Sequence, residues 1–151
     1  MYKRILTAID WTASTEAVLD QTRHLASLTG ATVLVLHVRA TDFPSLPSIL
    51  GALASQALAG EPAASDAGSV AQRMVDDAVA VLSTAGVQAE GLLLESTPGY
   101  TPRAVLDQAR ETEVDLIVLG RRHHDGPSAL FRSNVADEVS RHAECPVLIV
   151  P

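Results

Sequence analysis

Short apolar runs alternate with longer amphipathic stretches along the chain. Ile5-Leu6-Thr7-Ala8-Ile9 is nearly continuous in apolar character and closes on Asp10, the pattern of a strand covered on both faces of a parallel sheet. A helix follows through Leu28, with Thr12 and Ser14 as candidate N-caps, Val18, Leu25 and Leu28 among its inward positions and Gly30 as its stop. Ala31 to Arg39, with Thr-Val-Leu-Val-Leu-His-Val at its centre, reads as a second strand. Strand, helix and strand form a βαβ unit, which requires parallel pairing and a right-handed crossover.

From 40 to 68 the pattern breaks, with Pro44, Pro47 and Pro62, and Gly51, Gly60 and Gly68 among many alanines and serines. Ser48 to Leu58 fits a short helix, but the whole reads as a long variable loop leaving the carboxyl end of strand two. It is open to two uses, covering a site or partner surface, or merely connecting. Ser69 to Ala85 then places Ala71, Met74, Val75, Ala78, Val81, Leu82 and Ala85 at helical spacing, ended by Gly86. Strand three spans Val87 to Leu94, Pro98-Gly99 turns the chain, and Pro102 opens a helix to about Glu113. Leu116 to Leu119 is strand four, Asn134 to His142 the last helix and Pro146 to Val150 strand five. Five strands alternating with four helices predict a single α/β domain, a doubly wound five-stranded parallel sheet of Rossmann-like type.

Composition narrows the function classes. With 151 residues, 47% of them hydrophobic and only 3% aromatic, the core must consist of Val, Leu, Ile and Ala. A net charge of −7 argues against a general nucleic-acid or anionic-membrane surface; the densest basic patch is Arg121 to His124 with Arg132. The single Cys145 excludes an intrachain disulfide or a multi-cysteine metal site, and just ahead of strand five it reads as a small hydrophobe. No apolar span reaches membrane length and no secretory pattern opens the chain, so a cytoplasmic protein without membrane insertion is expected.

In an open parallel sheet, ligands sit outside the carboxyl ends of the strands where the strand order reverses. With strands one and four as flanks, Asp10, the end of strand two near Val38, and Gly120 with its following loop face one crevice. Asp10 has two readings there, an acceptor for a base amine or a hydroxyl, and a carboxylate beside a helix N-terminus. His37, inside an apolar run, is expected to be a satisfied core histidine. No nucleophile and base stand at readable spacing and no metal-ligand cluster is present; the His123-His124 pair lacks carboxylate or cysteine partners, so no enzyme is predicted.

Met1-Tyr2-Lys3-Arg4-Ile5-Leu6 with Ala8-Ile9-Asp10, Val35-Leu36-His37-Val38, Asp115 to Gly120, Ser133-Asn134-Val135-Ala136 and Cys145-Pro146-Val147-Leu148-Ile149-Val150 together resemble the universal stress protein family. The resemblance implies a five-stranded α/β fold and a homodimer paired through Val147 to Val150, a regulatory or stress-response role and contacts with protein partners. Many members of that family bind ATP through a glycine, two residues, a glycine, nine residues, then a glycine and a serine or threonine. Laid on this chain, the first glycine is Gly120, the second position is His123, the third Ser133 and the hydroxyl position Asn134. By the same alignment Asp10 and Val38 stand where the family contacts adenine, Ala8 where it lines the base pocket, and Leu119, Gly120 and Val135 where it holds ribose and phosphates. The base half is retained and the phosphate half has lost two of its three glycines. The expectation is a dimeric module that does not depend on ATP, the alternative a switch that binds ATP, AMP or cyclic AMP, and a nucleotide hydrolase ranks last.

Overall fold

The computed structural model describes residues 1–10, 14–40, 64–97, 99–121 and 135–151, with the side chains of 64–67 outside that description. Its elements, in chain order, are β1 (Arg4–Ala8), α1 (Ser14–Thr29), β2 (Thr32–Ala40), α2 (Ala64–Thr84), β3 (Ala89–Ser96), α3 (Thr101–Glu111), β4 (Leu116–Gly120), α4 (Val135–His142) and β5 (Val147–Val150). The strands form one parallel sheet in the order β3-β2-β1-β4-β5. The expected five-stranded α/β fold is therefore present, and the order reverses between β1 and β4 as anticipated.

Strand periodicity divides the core in two. Ile5 and Ile9 of the β1 segment, Val33 and Val35 of β2, and Leu116 and Val118 of β4 pack with Val18 and Ala26 of α1 and Val75, Ala78 and Leu82 of α2. Their neighbours Leu6, Leu36, Ile117 and Leu119 face the other way, against Val105 and Ala109 of α3 and Ala136 and Val139 of α4. Because side chains alternate along a strand, a strand sandwiched by helices must be apolar at every position, which explains the continuous runs. Thr7 and His37 are the exceptions, and Thr7 is fully buried with Thr22 of α1. Thr22 Oγ1 donates to the Val18 carbonyl at 2.8 Å, so Thr7 Oγ1 must supply the hydrogen of the 2.9 Å hydroxyl pair between them.

Several element boundaries and facings differ from the sequence expectation, each for a readable reason. Leu28 is 68% exposed and Val81 53% exposed, and neither faces inward. At 3.6 residues per turn they fall about 80° from Val18 and about 120° from Val75 respectively. Ala85, also expected inward, is exposed in the turn after α2. Helix α2 opens at Ala64, not Ser69, because a helix accommodates Gly68 at a cost of only about 1 kcal/mol. The stretch read as loop is shortened accordingly. The short helix expected at Ser48 to Leu58 lies outside the described residues.

Strand three begins at Ala89 and runs to Ser96, two residues later at each end than Val87 to Leu94. Gly86 takes φ +82°, its N–H donates to the Ser83 carbonyl at 3.0 Å and that of Val87 to the Leu82 carbonyl at 3.1 Å. This closing of α2 consumes the Val87 N–H that a strand would have used. Helix α3 ends in the same way at Glu111, not Glu113. Glu113 stands at φ 50° and the N–H of Val114 donates to the Ala109 carbonyl at 3.0 Å.

The buried hydroxyl pair sets an asymmetric expectation. Thr22→Val strands the Thr7 donor in the core and lowers unfolding free energy by about 1–3 kcal/mol, whereas Thr7→Val leaves Thr22 bonded to Val18 and costs less. Urea denaturation of both variants measures the difference; equal losses would overturn the assigned donor direction.

Candidate functional site

Parallel strands flanked by helices bring strand carboxyl ends and helix N-termini to one edge, and the crevice there is the candidate site. Its floor is level across three strands, since Ala8 is in register with Leu36 on one side and Leu119 on the other. Asp10 and Val38 stand above that floor, Gly120 ends β4, and the first turns of α1, α3 and α4 contribute Ser14, Thr101 and Val135. Six of the expected site residues, Ala8, Asp10, Val38, Leu119, Gly120 and Val135, thus line a single crevice. His123, Ser133 and Asn134 lie outside the described residues, as do Thr12 and, of the basic patch, Arg122, His124 and Arg132.

Ser14, which the sequence presented as a candidate cap, forms part of the wall together with Thr15 and Thr101, which the sequence reading did not single out. Thr15 Oγ1 donates to the Asp10 carbonyl at 2.5 Å and ties the first turn of α1 to the end of β1. Ser14, Thr15 and Thr101 all line the crevice. Their sequence signal was hydroxyl residues at helix starts, which marks a cap without telling which surface the side chain meets. The accessible space within this open crevice is about 50 Å³, room for a few waters and below the roughly 300–1,000 Å³ of small-molecule sites.

His37 is the satisfied core histidine expected. It is 5% exposed, and its Nδ1 lies 2.9 Å from the Ile9 carbonyl. A carbonyl oxygen only accepts, so Nδ1 carries the hydrogen and the ring holds the end of β1 in place one residue before Asp10. Cys145 lies far from this crevice, at the amino end of β5, packed against the cluster under α3 and α4. Burial first, then the charge of Asp115, push its thiol pKa above the ordinary value; a backbone hydrogen bond opposes them and the charge of Glu144 adds a smaller upward push. A thiol held protonated in this way is a packing group and a poor nucleophile. Among the described residues no three His, Cys, Asp or Glu side chains come together as a metal site, and no helix is long and apolar enough to cross a membrane.

The sequence profile of the Universal stress protein family matches residues 1–151. The chain belongs to the universal stress protein family. It is 28% identical over 150 residues to universal stress protein YxiE of Bacillus subtilis, covering 99% of both chains. Its fold is similar to that of a universal stress protein from Burkholderia pseudomallei, with a TM-score of 0.66, 29% identity and coverage of 99% and 96% of the two chains. It is also similar in fold to the universal stress protein of Archaeoglobus fulgidus in complex with dAMP, with a TM-score of 0.62, 23% identity and coverage of 99% and 98%.

For a universal stress protein the geometry around Gly120 is informative. Gly120 is not among the positive-φ residues, so conformational freedom is not what it supplies. A Cβ added to it would overlap Ser14 Oγ and stand 3.0 Å from Ser14 Cβ and 3.2 Å from Val18 Cγ2. Here the glycine permits close approach of helix α1 to the end of β4, a packing role distinct from the approach to phosphate inferred from the motif. The next backbone N–H, that of Arg121, donates to the Val150 carbonyl at 2.7 Å and is held by β5. Gly120→Ala should therefore destabilise the protein by about 1–3 kcal/mol through overpacking against α1 with no ligand present. Chemical denaturation of the purified variant measures this, and unchanged stability would show that α1 yields freely.

Proposed function

We propose that this universal stress protein is a non-catalytic regulatory module of the cytoplasmic stress response that acts through protein contacts and does not depend on bound ATP. The supporting observation is at Gly120, the one glycine of the ATP pattern that this chain keeps: Ser14 and Val18 of α1 crowd the space above it. His123, Ser133 and Asn134 replace the other glycines and the hydroxyl residue of the pattern. Side chains at these positions reduce close backbone approach to a triphosphate, and neutral loop N–H groups are what such sites use. The non-catalytic reading rests on the crevice chemistry. Its described wall offers Asp10 and the hydroxyls of Ser14, Thr15 and Thr101, and no histidine or cysteine that would activate one of them.

A second reading is favoured by the convergence of Ala8, Asp10, Val38, Leu119, Gly120 and Val135 on one crevice. The ligand of this reading is an adenine nucleotide with little phosphate to place, AMP or cyclic AMP, and the Archaeoglobus fulgidus relative was solved in complex with dAMP. The homodimer belongs to the same proposal. Strand β5 is the sheet edge beyond β4, and an apolar edge strand invites pairing with a second copy. Along it Leu148 packs into the core under α1 while Ile149 is 36% exposed.

Calorimetric titration of freshly purified protein with ATP, AMP and cyclic AMP separates the readings. No ATP binding below millimolar concentration is expected, and tighter ATP binding would overturn ATP independence; AMP or cyclic AMP bound tightly and lost in Asp10→Ala would establish the second reading. For assembly, Ile149→Asp should convert dimer to monomer in light scattering with the thermal transition retained, since the change spares Leu148 and the core. A wild-type monomer, or an unchanged mass in the variant, would refute pairing through β5.

A further inference from the structure

We propose that Ser14 determines the size of ligand that the crevice admits, acting as a steric filter over Gly120. The inference rests on the crevice being the ligand site of the second reading above, and it assigns a specificity residue that the glycine pattern does not contain. Three observations on the wall carry it. Ser14 Oγ is the atom nearest the missing Cβ of Gly120, with Ser14 Cβ next, so this side chain fills the space that the glycine leaves on the α1 side. Ser14 is also part of the crevice lining, on the first turn of α1, together with Asp10 and Val135. That turn is tied in place by the 2.5 Å bond from Thr15 Oγ1 to the Asp10 carbonyl and, one turn further along, by the packing of fully buried Val18.

Because both ends of the turn are held, the Cα and Cβ of Ser14 cannot move off the crevice without breaking a hydrogen bond or uncovering a core side chain. The filter is therefore built into the wall. Ser14, Val18 and Gly120 all line the crevice, whose accessible space is about 50 Å³, and Gly120 is the position at which the family pattern holds ribose and phosphates. A glycine that in one arrangement gives a ligand its closest approach here gives that approach to a helix.

The test is a gain of binding. Ser14→Ala removes the nearest atom and keeps Cβ; Ser14→Gly removes both. Titrations with AMP and ATP, alongside thermal melts of each variant, should show affinity rising in the order wild type, Ser14→Ala, Ser14→Gly. The glycine variant is expected to gain about ten-fold or more, the scale at which one small group decides fit in a pocket. Ser14→Ala is compatible with the helix and keeps the test usable even if the glycine variant melts early. Folded Ser14 variants that bind AMP and ATP no better than wild type would overturn the filter and leave ATP independence standing. Tight ATP binding by the wild type would overturn ATP independence whatever the Ser14 variants do.

Discussion

Burial of β1 and β4 on both faces is the constraint on which the remaining structure depends. Ile5, Leu6, Ile117 and Val118 are all 0% exposed, so helices must cover each side of the sheet, and parallel strands need those helices as crossovers. Once every crossover returns the chain to the same end, each helix starts where a strand finishes. The crevice is then a product of connectivity: β1 and β4 lie side by side while their crossovers go to opposite faces, α1 to one and α4 to the other. The splitting of the chain at that point leaves a cleft that no side chain had to be chosen to create.

A doubly covered sheet leaves little tolerance for polar atoms, and the few inside it are held in defined ways. Thr7 bonds to Thr22, which bonds to the Val18 carbonyl; His37 bonds to the Ile9 carbonyl. Both fasten parts of the crevice wall, one setting α1 on β1 and the other setting the end of β1 on β2. Satisfied polar contacts of this type contribute modestly to stability and strongly to position, because a shift of either partner leaves a buried group unpaired.

Within the crevice, the residue aligned with the first glycine of the family pattern is occupied by packing. Gly120 was recognisable as the first glycine of a phosphate-binding pattern, yet its missing Cβ makes room for Ser14 and Val18. Helix packing and ligand approach make the same demand on sequence, an absent side chain, and only the atom that occupies the space tells them apart.

The sequence by itself determined the fold class, the alternation of five strands and four helices, and the family, because apolar periodicity and the glycines that stop helices are local properties read directly from the chain. It also nominated Ala8, Asp10, Val38, Leu119, Gly120 and Val135, which meet in one crevice. What it misassigned were facings at helix margins, such as Leu28 and Val81, and the limits of β3 and α3, where closing turns claimed N–H groups that a strand or a longer helix would have used. Only the tertiary structure decided the roles of Ser14 and Gly120. They stand more than a hundred residues apart, and nothing along the chain records that one fills the space the other leaves, since that contact exists only after β1 and β4 pair and α1 settles across them.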